Sequence, residues 1–265
     1  MRSEAETIPF FKASACGNDF LIAELDSSRG RDLASITSRM CDRHTGIGAD
    51  GVEWLSTAAD VDIRARLFNS DGSEAEISGN GTRCVAAYIC SRQAKETVVI
   101  ETKAGMKTCR LISRSGTGFE FEIAMGQPVV GGELPLHLTD GVVRGIPVSI
   151  GNPHYVVFTN QFVPNWQLQA SEIGTRPEFK NGVNVELVVL KDRDNLEARF
   201  FERGAGETQS SGTGSCAAAV AAISSKRADS PVRIQAPGGS QLVRWDEQIF
   251  LTGPAELICH GEFFV

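Results

Sequence analysis

Two stretches of this chain repeat each other at a fixed distance, and that repeat limits the possible folds more than any single residue does. Ala65-Arg66-Leu67-Phe68 returns as Ala198-Arg199-Phe200-Phe201, Glu74 as Glu207, and Ser78-Gly79-Asn80-Gly81 as Ser211-Gly212-Thr213-Gly214, each 133 residues on. With a slip to 134, Gly17-Asn18 matches Gly151-Asn152, and Val98-Val99-Ile100 with Gly105 matches Val232-Arg233-Ile234 with Gly239. A repeat of this kind is two copies of one supersecondary unit. In 265 residues it leaves room for two similar halves of ordinary domain size. Like halves related by a pseudo-twofold axis are expected to form a cleft, with each half offering one Ser-Gly-x-Gly turn. That arrangement suits chemistry on two faces of one atom.

Runs of strand-like composition dominate, at residues 20–23, 61–68, 98–102, 119–123, 142–150, 155–158, 184–190, 232–235 and 248–252. Phe119-Glu120-Phe121-Glu122-Ile123 alternates cleanly, which predicts one wet face. Three helices are expected, Leu33 to Cys41, Gly81 to Ser91 and Gly214 to Ser225, the last two Ala-rich and opened by the glycine turns. Clustered strand runs without strict βαβ alternation predict an α+β architecture of two pseudo-symmetric domains, each a strand-rich wrapping around one helix. The first domain is read as residues 1–126 and the second as 127–265, divided near Gly126-Gln127-Pro128. The last residues, about 255–265, are candidates to pack back on the first.

No apolar run approaches the roughly 18 residues that span a bilayer. The polar, acidic start Met1 to Thr7 lacks the features of a secretory signal, so a cytoplasmic protein is expected. Seven cysteines then read as reduced thiols, and none stands in a metal-binding spacing. A formal net charge of −7 argues against nucleic acid as partner, since that affinity rests on clustered Lys and Arg. The expected ligand is a small molecule. The glycine turns lack the P-loop lysine and the full dinucleotide spacing, so no nucleotide, flavin or metal cofactor is called for.

A Ser-Gly-x-Gly segment feeding a helix exposes backbone N–H groups at the positive end of the helix dipole, a ready site for an anion. One isolated copy would be read as an ordinary N-cap, with Ser78 or Ser211 capping its own helix. Two copies at matched positions favour a shared function. If both helix starts converge on one carboxylate, Ser78 and Ser211 flank the carbon attached to it.

Five segments carry a family resemblance: Gly17-Asn18-Asp19-Phe20; Arg43-His44 through Gly46, Gly48, Ala49 and Asp50; Asn69 through Asp71-Gly72-Ser73-Glu74 to Gly79-Asn80-Gly81 and Arg83-Cys84; Gly151-Asn152-Pro153-His154; and Glu202-Arg203-Gly204 through Gly206-Glu207-Thr208 to Gly212-Thr213-Gly214. In this order, across nearly the whole chain, they resemble diaminopimelate epimerase. The resemblance implies two pseudo-symmetric domains, no cofactor or metal, an amino diacid substrate and a homodimer. It also implies that a residue before each glycine turn works as acid or base on one face of the substrate α-carbon. Gly79, Asn80, Gly212 and Thr213 would hold the α-carboxylate through backbone N–H groups, and Glu202 would pair with the α-ammonium. Arg203, with Asn69, Asn152 and Asn184, would receive the distal end, and Asn18 would line the same pocket. An Arg fork beside amides suits a second carboxylate. The structural alternative for each Asn is a turn residue with a satisfied side chain, most serious for Asn18 and Asn69.

Ser78 and Ser211 stand where the family carries catalytic cysteines. A thiol starts near about 8.5 and drops further at a helix N-terminus, whereas a serine hydroxyl needs a neighbouring base. His44 and His154 read as loop-holding residues. Cys84 and Cys216, inside the helices, read as small apolar packing groups, and Cys16, Cys41, Cys90, Cys109 and Cys259 as core or incidental. Asp60, Asp62, Arg64 and Arg66 read as a solvated strand face. Three functions stay open: an epimerase in which serines replace cysteines, a related isomerase or dehydratase, and a catalytically silent amino-acid-binding protein.

Overall fold

The computed structural model describes residues 6–265. Of the acidic start read above, residues 1–5 lie outside them. Two compact units divide between Ile123 and Ala124 and again between Thr252 and Gly253, so Gly253–Val265 belongs with the first unit. The division falls just before the Gly126-Gln127-Pro128 punctuation.

In the first unit the strands are β1 (Thr7–Ala15), β2 (Asn18–Glu24), β3 (Gly51–Ser56), β4 (Ile63–Asn69), β5 (Glu74–Ala75), β6 (Thr97–Thr102), β7 (Gly105–Ser115) and β8 (Gly118–Gly126). β2 runs parallel to β3 and β4 parallel to β6, while β1–β2, β3–β4, β6–β7 and β7–β8 are antiparallel. Helix α1 (Leu33–Cys41) starts where Asp32 accepts the Ser35 N–H at 3.1 Å. It packs Ile36, Met40 and Cys41 against Ile8, Leu21, Val52 and Trp54. Helix α2 (Gly79–Arg92) is buried almost all round from Asn80 to Cys90. Its small residues Ala86 and Ala87 let strands lie close on every side, and β1, β2, β6 and β7 do so.

The second unit repeats this plan. Its strands are β9 (Val129–Val130), β10 (Leu134–Leu138), β11 (Gly141–Ser149), β12 (Pro153–Phe158), β13 (Asn184–Leu190), β14 (Asn195–Glu202), β15 (Gly206–Thr208), β16 (Val232–Ala236) and β17 (Gly239–Trp245). β12 is parallel to β13 and β14 to β16, while β13–β14 and β16–β17 are antiparallel, the same order of directions as β2 to β7. Helix α3 (Trp166–Gly174) covers one side of β13 through Trp166, Ala170 and Ile173. Helix α4 (Gly212–Ser224) is the central one, with Cys216 to Ala222 fully buried among Ile146, Val156, Phe200, Ile234 and Leu251. The final strand β18 (Ile249–Phe264) pairs with β17 through Ile249 to Thr252 and with β1 through Glu256 to Phe264. Within the first unit Leu257 also donates to the Thr117 carbonyl at 3.0 Å, which carries the sheet further round α2.

The fold is therefore α+β and two-repeat, as the sequence predicts, with some local differences. β1, β3, β5, β7, β9, β10, β14, β15 and β17, and helix α3, are additional elements. β3 is buried from Gly51 to Leu55, so it has no alternation to read, and α3 begins at Asn165 without a side-chain cap. Asp60 and Asp62 precede the strand that carries Arg64 and Arg66. Asp62 accepts the Val99 N–H at 2.7 Å and pairs with Lys95, while Arg64 and Arg66 pair with Glu101 and Glu74. The supposedly wet face of β8 is half-buried, and Glu122 lies 2.8 Å from Arg110. None of the seven cysteines is in a disulfide, and only Cys259 is exposed.

Candidate active site

Each unit builds one glycine turn in the same way. In the first, Ser78 is the N-cap of α2: its Oγ accepts the Gly81 N–H at 3.1 Å and its carbonyl accepts the Thr82 N–H at 2.8 Å. In the second, Ser211 Oγ accepts the Gly214 N–H at 3.1 Å and its carbonyl the Ser215 N–H at 3.0 Å. With the third and fourth N–H groups satisfied, the first two of each helix, on Gly79 and Asn80 and on Gly212 and Thr213, mark the positive end of the dipole.

The turn in the first unit has a polar neighbour set. Asn80 Nδ2 donates to Asn18 Oδ1 at 3.4 Å, and Asn18 Nδ2 donates to Asp50. Asn80 Oδ1 accepts from Arg83, whose guanidinium is fully buried and also donates through Nε to the Pro254 carbonyl at 3.1 Å. Asn69 stands apart: its Nδ2 donates to Ser73 Oγ at 3.0 Å, the satisfied turn residue of the structural alternative. His44 contributes its backbone N–H to Asp42 at 2.8 Å within an exposed turn.

The turn in the second unit gathers more of the expected residues. Asn152 Nδ2 donates to Thr213 Oγ1 at 3.4 Å, and Asn152 Oδ1 accepts from His154 Nε2 at 2.9 Å. The other ring nitrogen of His154 lies 2.7 Å from Glu186 Oε1, with both side chains buried. Asn184 donates to the Pro153 carbonyl at 3.1 Å and accepts the Arg203 N–H at 2.9 Å. The Arg203 guanidinium donates to the Asn181 carbonyl at 2.7 Å. Glu202 accepts a hydrogen bond from the Ser211 hydroxyl; burial pushes its carboxyl up, and that bond and the nearby His154 hold it down. A hydroxyl so placed has the neighbouring base that a serine requires.

Three buried residues near these turns are given no role by the sequence: Arg83 on α2, Glu53 on β3 and Glu186 on β13. Glu186 is held above the usual carboxylate range by burial, against the pull of His154, and its Oε2 has no hydrogen-bond partner. Glu53 sits in mid-strand, and burial alone pushes it up to about 8. One signal could have exposed the pair, because Glu53 and Glu186 are separated by the same 133 residues as the repeat. His154 is the hub of the second turn. Replacing it by Phe leaves Asn152 Oδ1 and Glu186 Oε1 without those bonds, an expected loss of about 1–3 kcal/mol in urea unfolding. A change within about 0.5 kcal/mol would remove it from the network.

A strand-wrapped helix opened by a serine-capped glycine turn recurs in each of the two units, the layout expected of a two-repeat epimerase. The diaminopimelate epimerase family model matches residues 10–130 and 146–258. Diaminopimelate epimerases of Pelotomaculum thermopropionicum and Pseudomonas syringae pv. tomato are 35% and 38% identical to it, each over 96% of this chain and 98% of their own. Among solved structures, a hydroxyproline epimerase from Agrobacterium vitis with bound trans-4-hydroxy-L-proline shares the fold with a TM-score of 0.74 and 15% identity, covering 100% of this chain and 94% of its own. A phenazine biosynthesis protein of the PhzF family from Bacillus anthracis does so with a TM-score of 0.74 and 18% identity, over 98% and 99%. This chain belongs to the diaminopimelate epimerase family. No helix among the described residues is long and apolar enough to cross a membrane.

Proposed function

We propose that this chain interconverts LL- and meso-diaminopimelate by exchanging the α-hydrogen without a cofactor, with Ser78 and Ser211 as the acid and base. The observation that carries this assignment is the Ser211 hydroxyl hydrogen-bonded to Glu202 at the head of α4. Family membership supports the substrate class. In this reading the N–H groups of Gly79, Asn80, Gly212 and Thr213 hold the α-carboxylate, Asn152, Asn184 and Arg203 serve the distal end, and Asn18 lines the pocket. Glu202, which the resemblance pairs with the α-ammonium, also takes the proton of Ser211 as that hydroxyl attacks the α-hydrogen. The enzyme works in the cytoplasm as a homodimer.

Incubation with LL-diaminopimelate in heavy water, followed by NMR, tests this directly. The native chain is expected to incorporate deuterium at the α-carbon, and Ser78→Ala and Ser211→Ala each to slow it by about 10²-fold or more. Calorimetric binding with no exchange would instead mark a silent binding protein. An unsaturated or keto product would mark a dehydratase.

A further inference from the structure

The two serines do not have the same surroundings. The spacing that relates Ser78 to Ser211 places Asn69 where the second unit has Glu202, so Ser78 lacks the carboxylate that Ser211 uses. Another carboxyl is at hand. Ser78 lines a narrow crevice with Glu53, Ala65, Leu67, Glu76, Ile77, Thr82 and Thr102, and of its two acids Glu76 is exposed while Glu53 is 3% exposed. A side chain at Gly81 would collide with Glu53 Oε1 and touch Ser78 Cβ at 3.3 Å, so it is the bare glycine that leaves the way open between them. Glu53 makes no hydrogen bond to another described side chain. On the neighbouring strands Ile22 and Leu67 stand opposite it; on α2, Cys84 feels its charge, while Arg83 is committed to Asn80 and Pro254.

Resting on the epimerase reading, we propose that Glu53 is the positioning residue of Ser78, a buried carboxyl that holds and returns the proton this hydroxyl exchanges with the substrate. On the protonating stroke the Ser78 O–H bond breaks as the new Cα–H bond forms. The Glu53 O–H bond breaks as the hydroxyl is restored, leaving a carboxylate that solvent at the crevice reprotonates. Abstraction runs the same bonds backwards, with Glu53 starting as the carboxylate. A carboxyl standing near about 8 suits both strokes at neutral pH, since either form is accessible. The repeat sets Glu186 at the equivalent place beneath Gly214, whose added Cβ would meet Glu186 Oε1 at 2.9 Å; there His154 engages the carboxyl instead.

One proton must be shared between the Ser78 and Ser211 sides for turnover in either direction, so the native rate is expected to fall as pH rises through about 8, where Glu53 loses it. Glu53→Gln is expected to lower deuterium exchange by about 10²-fold and to abolish that alkaline limb. Glu53→Asp, which keeps a carboxyl, restores part of the limb. Exchange in Glu53→Gln at the native rate with the limb intact overturns the proposal. Absence of exchange in the native chain at every pH would sink the epimerase reading instead, and a second measurement then decides Glu53 alone. Infrared difference spectra from about pH 6 to about pH 10 locate its carboxyl band by its loss in Glu53→Gln. A titration midpoint that moves in Ser78→Ala supports the coupling, and one that stays put refutes it.

Discussion

Converting Ser78 and Ser211 together to Cys is expected to raise α-hydrogen exchange by about 10²- to 10⁴-fold, the range a well-matched acid or base supplies. The cause is the acidity of the group at each N-cap. A thiol begins near about 8.5 and falls at a helix N-terminus, so a useful fraction is thiolate at neutral pH. A hydroxyl reaches its reactive form only as a neighbour takes the proton, work that the proposed mechanism gives to Glu202 for Ser211. The caps themselves should survive the change in backbone terms, because each helix keeps its Thr82 or Ser215 N–H bonded to the cap carbonyl. Either single replacement is expected to gain much less than the pair, since turnover needs both faces of the carbon. Deuterium incorporation by NMR reads the effect, and an unchanged rate in the double variant would place the chemistry elsewhere or identify a binding protein.

The largest expected loss of stability comes from Arg83→Ala. This guanidinium is 0% exposed, ties Asn80 at the head of α2 to the Pro254 carbonyl, and leaves its own Nη1 without a partner. Gly253 runs close over it, so that a Cβ there would stand 3.2 Å from the Arg83 Cζ. Truncation opens a large cavity and strips hydrogen bonds from the buried Asn80 side chain and from the Pro254 carbonyl at once. Those terms together amount to about 3–5 kcal/mol. Arg83→Lys should recover only a part, because one ammonium cannot span both acceptors in the planar fork's geometry. Denaturant midpoints at constant m-value check both variants, and a shift within about 0.5 kcal/mol for Arg83→Ala would show that the returning segment is held by the sheet alone.

Much of the fold is local enough to read in one dimension. Leu33–Cys41 and Asn184–Leu190 have the predicted bounds, and both glycine turns lead into helices because Ser, Gly and a run of alanines act within a few residues of one another. The repeat also carries topology, since matched segments take matched strand directions in both units. β3 was hidden by its complete burial, which removes alternation. The short Leu134–Leu138 and Trp166–Gly174 were hidden by weak punctuation.

The candidate site divides along similar lines. Sequence alone determined the family, the two serines and the residues of the turns, because these lie in short motifs whose spacing survives without any long-range contact. Which polar groups meet around the turns depends on residues far apart in the chain: His154 on Glu186, and Arg83 on Pro254. A glutamate inside an apolar strand looks like an interruption until packing shows it almost wholly buried, and only then does desolvation, a property of the surrounding volume, give Glu53 its raised proton affinity.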